Sequence, residues 1–195
     1  MKQSEAFFQG EGEAWLDRNK DRLTGKNDPV LEAIQNYNLD PAVVMEIGCA
    51  NGWRLDALRD QYDCVVYGCD PGADGEKDNI LRRSADKTGV TSGLFDTVIY
   101  GWCLYLCDPE DYFKIAMEGD RILADMGFIV VYDFHADHPY KTPYKHKEGL
   151  FSHHYDFAKL WLSHPAYHLY GRTIHGETSV TILQKNLETA FPVKK

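Results

Sequence analysis

Short apolar runs divide the first two thirds of the chain, and each ends at a polar residue or a glycine. The clear runs are 43–45, 64–69, 95–100 and 128–132, and Ile80–Leu81 is a weaker candidate. Runs that are apolar throughout, instead of alternating with polar residues, are typical of strands buried on both faces of a parallel sheet. The pattern therefore predicts a parallel sheet in the middle of the chain.

Amphipathic segments lie before, between and after these runs. Apolar side chains recur at helical spacing in four segments, namely 4–20, 29–37, 53–61 and 109–124. Asp28 and Asp108 each precede a proline, and this pair is a helix start signal: the aspartate caps free N–H groups and the proline suits the first helical position. Strands alternating with helices predict an α/β sheet covered on both faces.

The C-terminal part has a different pattern. Residues 155–163 predict a helix, and residues 167–173 and 179–183 alternate in polarity on either side of Gly176, as in an antiparallel pair. The predicted fold class is α/β, a Rossmann-like, seven-stranded and mostly parallel sheet with an antiparallel C-terminal strand pair. We expect one domain over residues 1–195, divided into a helical N-terminal cap (1–38), a cofactor-binding core (39–134), a substrate-pocket insertion (135–165) and the strand pair (166–195).

Composition limits the kinds of molecule that the protein is expected to bind. A length of 195 residues fits one domain with a proper core, and a formal net charge of −9 without a cluster of Lys and Arg argues against nucleic acid. The five cysteines form no C-x-x-C pair, which favours reduced thiols and a cytoplasmic location. No apolar run is long enough to span a membrane. We expect a monomer or homodimer with a small-molecule substrate, and no metal, membrane or nucleic-acid partner.

A glycine loop, running from Glu46 through Gly48 to Gly52, follows the first strand. Ligands of doubly wound sheets bind outside the carboxyl ends of the strands, where small residues let the backbone approach them. In this loop an acid, Glu46, precedes the first glycine, and the spacing differs from the G-x-G-x-x-G pattern that binds a pyrophosphate. A carboxylate there suits the ammonium group of a methionine moiety better than a pyrophosphate. Asp70, after the second strand, is placed to bind ribose hydroxyls of any nucleoside cofactor.

Together with 84–86 and 95–99, these motifs resemble class I S-adenosylmethionine-dependent methyltransferases of the small-molecule type, over residues 40–135. The resemblance implies that the loop holds the methionine part, Asp70 the ribose and Asp86 the adenine amino group. Ala50 stands where the family often has glycine. The cofactor-binding residues implied for S-adenosyl-L-methionine, and for its product S-adenosyl-L-homocysteine, are Trp15, Arg18, Glu46, Gly48, Cys49, Gly52, Asp70, Pro71, Ala85, Asp86, Gly101 and Trp102.

A histidine-rich segment follows the fifth strand. Five of the eight histidines fall between Asp133 and Tyr155, among tyrosines and lysines. A neutral imidazole accepts a proton from a hydroxyl, so this segment is the predicted acceptor site, with His135 and His146 as the catalytic candidates. The predicted substrate-binding residues are Tyr140, Tyr144, Lys145, His153 and Tyr155.

The predicted reaction is methyl transfer to an oxygen, or in second place a nitrogen, of a small polar metabolite. Lysines among tyrosines and histidines favour a sugar, a nucleotide-linked sugar or another phosphorylated compound. Two alternatives stay open. One is an NAD-dependent oxidoreductase on the same kind of sheet, and the other is a non-catalytic cofactor-binding protein on a methyltransferase fold.

Overall fold

The computed structural model describes residues 2–23, 27–73, 75 and 77–193. Within them the strands are β1 (Val43–Ile47), β2 (Val65–Cys69), β3 (Ile80–Leu81), β4 (Phe95–Gly101), β5 (Leu123–Phe134), β6 (Tyr140–Pro143), β7 (Phe151–His154), β8 (Tyr167–His175) and β9 (Thr178–Lys185). The α-helices are α1 (Gln3–Ala6), α2 (Gly12–Asn19), α3 (Pro29–Asn36), α4 (Trp53–Tyr62), α5 (Tyr112–Ile122), α6 (Lys159–Leu162) and α7 (Leu187–Ala190).

Seven of the strands form one sheet in the order β3-β2-β1-β4-β5-β9-β8. The neighbours from β3 to β5 pair in parallel, whereas β9 is antiparallel to both β5 and β8. The prediction of a mostly parallel sheet with an antiparallel C-terminal pair is confirmed. The strand order reverses between β1 and β4, and a crevice opens at such a switch point, at the carboxyl ends of the strands.

Helices cover both faces of this sheet. On one face the fully buried Phe95, Tyr100 and Trp161 belong to a core with α5 and α6. On the other face Ile34 and Leu55 belong to a second core with α3 and α4. The strands contribute alternate side chains to the two cores, which is why their sequences are apolar throughout.

The predicted N-terminal helix, residues 4–20, is broken. A π-helical turn occupies Phe7–Glu11, and within it Gln9 and Gly10 leave helical geometry, with Gly10 at φ 111°. Glycine reaches positive φ without a steric penalty, so the chain bends here into two helices, α1 and α2. The apolar residues whose spacing suggests one helix are divided between these two helices.

The helix predicted over 109–124 starts later than expected. A 3₁₀ turn covers Pro109–Asp111 and α5 begins at Tyr112. Asp108 does not cap this helix: its carboxylate instead accepts hydrogen bonds from the backbone N–H groups of Gln3 (2.9 Å) and Ser4 (3.1 Å). The capping interpretation was wrong because the N–H groups of the N-terminal segment, distant in sequence, bond to this carboxylate instead of those of the helix. The Asp28 cap is confirmed, with bonds of 3.1 Å from the N–H groups of Val30 and Leu31.

The segment after β5 differs most from expectation. Strands β6 and β7 pair with each other as an antiparallel hairpin outside the main sheet. The helix predicted over 155–163 is reduced to the single turn α6. Across the described parts of the chain, no helix has both the length and the apolar character needed to cross a membrane.

Candidate active site

Two adjoining cavities occupy the crevice at the carboxyl ends of β1 and β4. Their volumes are about 100 Å³ for the first cavity and about 450 Å³ for the second. Trp15, Gly48 and Trp102 line both of them. The two cavities are therefore neighbouring parts of one site, separated by the glycine loop and two tryptophans.

The first cavity lies beneath the N-terminal helices. Loops after β2 and β3 contribute Pro71, Ala85 and Asp86, and Phe7 and Phe8 close it from above. Most of its other lining is apolar or weakly polar, including Cys103, Leu106 and Ile115. A pocket with apolar walls and a few polar groups suits a flat, uncharged ring system.

The glycine loop comes very close to the loop after β4. Gly48 has φ 79°, and a Cβ atom there would lie 2.7 Å from Cys103 Cβ and 2.9 Å from its Sγ. The N–H of Gly48 donates to the carbonyl of Cys69 (2.8 Å), which holds the loop against β2. Only glycine fits this backbone conformation and this separation.

A buried charge triad of Asp28, Glu46 and Arg54 forms one wall of the second cavity. Arg54 donates to both carboxylate oxygens of Asp28 (3.0 and 3.1 Å) and, through Nη1, to Oε1 of Glu46. All three side chains are at most 6% exposed. The guanidinium stacks 4.6 Å above the Trp53 ring, and the hydrogen of Gly101 leaves room for it.

The second oxygen of Glu46, Oε2, is buried without a hydrogen-bond partner. Burial raises the pKa of this carboxyl to about 7, even with Arg54 beside it. An unpaired buried acceptor is unfavourable and is best explained by a missing donor. Because Glu46 and Gly48 line the same cavity, the residues present fit a ligand with an ammonium group at this point.

The N-terminal cap, made of α1, the π turn and α2, is fastened across the crevice. Lys2 pairs with Asp111 (2.8 Å), and Arg82 pairs with Glu13 (2.8 Å). Trp15 Nε1 donates to the hydroxyl of Tyr105 (3.2 Å). These contacts reach both the β3 loop and the β4 loop, so the cap forms the roof of the site.

Gln3 is the most buried fastening of the cap. Its Nε2 donates to the carbonyl of Leu106 (2.8 Å), and its Oε1 accepts the N–H of Phe151 (2.6 Å). One side chain thus joins the cap to the β4 loop and to β7.

We expect Gln3→Ala to lower the free energy of unfolding by about 1–3 kcal/mol, because two backbone groups lose their buried partners. Urea unfolding measures this, and proteolysis of the native protein should become faster in the cap. Gln9→Ala, at an exposed position of the same cap, is the control and should stay within about 0.5 kcal/mol of the parent. Equal effects of the two substitutions would contradict the anchoring role.

Solved structures with this architecture include several S-adenosylmethionine-dependent methyltransferases. The structure of Burkholderia thailandensis 1,6-didemethyltoxoflavin-N1-methyltransferase, bound to 1,6-didemethyltoxoflavin and S-adenosylhomocysteine, superposes with a TM-score of 0.73 at 15% identity, covering 93% of this chain and 88% of that one. The chain has the fold of the S-adenosylmethionine-dependent methyltransferases.

Other structures with the methyltransferase fold agree. A methyltransferase from Mesorhizobium loti gives a TM-score of 0.60 at 12% identity, covering 82% of this chain and 99% of that one. One from Archaeoglobus fulgidus gives 0.59 at 15% identity, covering 88% and 99%. No protein-family model matches the sequence, and no curated protein matches it either. The likeness is therefore one of fold.

On this methyltransferase fold, most predicted cofactor residues line the cavities. Trp15, Gly48 and Trp102 line both, and the others divide between the first cavity (Pro71, Ala85, Asp86) and the second (Glu46, Cys49, Gly101). Gly52, Asp70 and Arg18 line neither. Gly52 precedes α4 and lies against Ile80.

Asp70 holds the loops of the crevice together. Its oxygens accept the N–H groups of Ala50 (3.0 Å) and Gly72 (2.7 Å), and burial raises its pKa. Each carboxylate oxygen has a further lone pair, so the group still has capacity to accept a hydroxyl. Arg18 bonds to Glu11 (2.5 Å) and to the hydroxyl of Tyr144 (3.0 Å), which links the cap to the segment after β6.

The two candidate catalytic histidines lie in different places. His146 is exposed and lines the second cavity, with its ring edge-on to Tyr144 at 5.3 Å. His135 follows β5 and lines neither cavity. Its Nδ1 lies 3.9 Å from Asp156 and has no hydrogen-bond partner.

The predicted substrate residues are not brought together. Tyr144 lines the second cavity, whereas Tyr140, His153 and Tyr155 line a separate outer groove beside α5. Lys145 is exposed and lines none of these spaces. Tyr140 and His153 belong to the β6–β7 hairpin, which forms its own sheet and lies along this groove instead of the crevice.

Several residues of the second cavity were missed, namely Asp28, Trp53, Arg54, Tyr105 and Tyr132. Asp28 has an obvious local role as a helix cap, which hides its pairing with Arg54 from 26 residues away. The available signal was Arg54 itself: a cation in the first turn of a helix opposes the helix dipole and needs a nearby acid. In the described residues, no group of three or more histidine, cysteine or acidic side chains is placed to hold a metal ion.

Proposed function

We propose that this protein is an S-adenosylmethionine-dependent methyltransferase that acts on an oxygen or a nitrogen of a small polar molecule. The observation that carries the proposal is the unpartnered Oε2 of Glu46, which lies beside Gly48 at the switch point of the sheet. The methionine part would bind there, with its ammonium group donating to Glu46. The adenine would bind in the first cavity beside Asp86, and the acceptor in the second cavity.

The bound cofactor supplies a methyl group already activated by its sulfonium charge, so positioning does most of the work of the protein. Trp102, which lines both cavities, would orient donor and acceptor toward each other. Where the acceptor is a hydroxyl, His146 is the candidate to take its proton. Burial raises the pKa of Tyr105, Tyr132 and Tyr144, so these hydroxyls stay protonated.

The Burkholderia thailandensis structure holds a small acceptor, and its name specifies methylation at N1. This supports a small-molecule acceptor here, and it makes nitrogen as strong a candidate as oxygen for the atom that receives the methyl group. The five cysteines are free, which favours a reducing compartment such as the cytoplasm. An NAD-dependent reaction is disfavoured because two carboxylates, Asp28 and Glu46, face the space that a pyrophosphate would need.

Calorimetric titration with S-adenosylhomocysteine and with NAD tests the cofactor. We expect micromolar or tighter binding of S-adenosylhomocysteine and none of NAD; the reverse result would refute the proposal. Incubation with methyl-labelled S-adenosylmethionine and a broad panel of small acceptors tests activity. Tight cofactor binding without transfer to any acceptor would favour a non-catalytic binding protein.

The affinity for S-adenosylhomocysteine should rise about tenfold from pH 6 to pH 8, since burial raises the pKa of Glu46 to about 7 and its carboxyl gains charge over this window. Glu46→Gln keeps the oxygen that accepts from Arg54 but cannot ionise. The affinity of this variant for S-adenosylhomocysteine should be lower than that of the parent at pH 8, and it should be almost independent of pH. The same pH profile in both proteins would show that Glu46 does not face the ammonium group.

A further inference from the structure

We infer that the acceptor is a planar aromatic or heteroaromatic molecule that carries no anionic group. This inference rests on the proposed function, and it names the substrate class of the second cavity. Six aromatic side chains line that cavity, namely Trp15, Trp53, Trp102, Tyr105, Tyr132 and Tyr144. They come from the cap, from the loops of the core and from the segment after β6, so aromatic rings surround the space on several sides.

These rings are fixed before any ligand binds. Trp102 packs edge-on against Tyr105 (5.5 Å between centroids) and Tyr132 (5.2 Å). The backbone N–H of Trp102 donates to the carbonyl of Tyr132 (2.8 Å), and the indole N–H of Trp15 donates to the hydroxyl of Tyr105 (3.2 Å). A ring that is already held in place loses little side-chain freedom on binding, so stacking contributes more to affinity.

The charges of the cavity exclude phosphate. Two of the described residues lining it are cations, Arg22 and Arg54, and Arg54 is already bonded to both Asp28 and Glu46. A phosphate would meet two buried carboxylates, and among the described residues of the lining Arg22 is the one cation not already paired with them. Lys145 lines none of the cavities. The described lining of this cavity therefore disfavours the phosphorylated acceptor suggested by the lysines of the sequence.

Two hydroxyls at the wall of the cavity are also already engaged, which leaves fewer partners for a sugar ring with several hydroxyls. The hydroxyl of Tyr105 accepts from Trp15, and that of Tyr144 is bonded to Glu11 and Arg18. A planar ring with one or two polar atoms needs few partners, and the electron-rich faces of tryptophan and tyrosine suit it.

Calorimetry on the protein saturated with S-adenosylhomocysteine tests this inference with four ligands. 2-Naphthol is planar and neutral, 2-naphthyl phosphate adds the anion, decahydro-2-naphthol removes planarity, and methyl glucoside represents a sugar. We expect 2-naphthol to bind at least about tenfold more tightly than each of the others. No binding of 2-naphthol, or equal or tighter binding of any of the other three, overturns the inference.

A pair of variants locates the binding. Tyr132 lines only the second cavity, so Tyr132→Leu should weaken 2-naphthol binding about tenfold, whereas Tyr132→Phe keeps the ring and should retain it. Both variants are compared with the parent at saturating S-adenosylhomocysteine, so that the difference between them measures the acceptor space. Equal naphthol affinities of the two variants would overturn the assignment. If S-adenosylhomocysteine itself fails to bind, the proposed function fails, and the same four ligands on the free protein still decide the character of the cavity.

Discussion

Arg54→Leu is expected to lower the free energy of unfolding by about 3–5 kcal/mol, which is typical of removing one partner from a buried ion pair. The guanidinium is 4% exposed and serves two carboxylates at once. Without it, Asp28 and Glu46 remain buried as unpaired acids, and desolvation penalises their charged forms. Chemical denaturation monitored by circular dichroism measures the loss.

The loss should depend on pH in a defined direction. Burial raises the pKa of Glu46 to about 7 even with Arg54 beside it, so the cost of burying its charge is absent at low pH and grows as pH rises above the unfolded value of this acid. The difference in free energy of unfolding between the parent and Arg54→Leu should therefore be larger at pH 8 than at pH 5. Adding Glu46→Gln should recover part of it, because one buried charge is removed.

Arg59→Leu is the matched control on the same helix. Arg59 is 49% exposed and pairs with Asp56 at 2.8 Å, an arrangement that contributes about 0–1 kcal/mol. A loss from Arg54→Leu no larger than that from Arg59→Leu would mean that the triad is not held by charge.

Gly48→Ala is expected to weaken the binding of S-adenosylhomocysteine by at least tenfold. The added methyl group would strain the left-handed backbone, at about 1–2 kcal/mol, and would overlap with Cys103, at about 1–3 kcal/mol. Relief of the overlap requires the loop or Cys103 to shift, and both line the first cavity, where the cofactor would bind. Titration calorimetry measures the affinity, and thermal unfolding shows whether the variant still folds.

Two further variants separate the causes. Gly176→Ala shares the positive φ (62°) but has open space around it and lies in the β8–β9 turn, so it should leave cofactor affinity unchanged. Cys103→Gly in the Gly48→Ala background removes the overlapping atoms and should restore part of the affinity. Unchanged binding by Gly48→Ala alone would disprove that the loop needs glycine there.

The buried strands could be predicted from the sequence because continuous apolar runs seldom form anything else in a chain of this size. Strand β4 matches its predicted run to within one residue, whereas β5 was placed at 128–132 and spans Leu123–Phe134. Its first part was hidden because Asp125 and Gly127 interrupt the apolar pattern before Phe128. The β6–β7 hairpin was missed because its residues, rich in histidine and tyrosine, resemble a binding loop.

The candidate site was predictable where one residue carries its own signal. The acid before the glycine loop is such a residue, and Glu46 does line the second cavity. The Asp28–Arg54 contact was not predictable, since it joins residues that only the folded chain brings together. The choice between His135 and His146 likewise depended on the path of the chain after β5, which local pattern does not define.

The β6–β7 hairpin pairs with no strand of the main sheet. It reaches the rest of the protein in part through Phe151, bonded to Gln3, while Tyr144 just beyond β6 contacts Arg18 and Glu11. Changes of length or sequence in this hairpin leave the hydrogen-bond ladder of the sheet intact. Under the proposed function, residues 140–154, which bring Tyr144 and His146 to the second cavity, are therefore a part of the chain in which acceptor range can diverge during evolution without rebuilding the sheet.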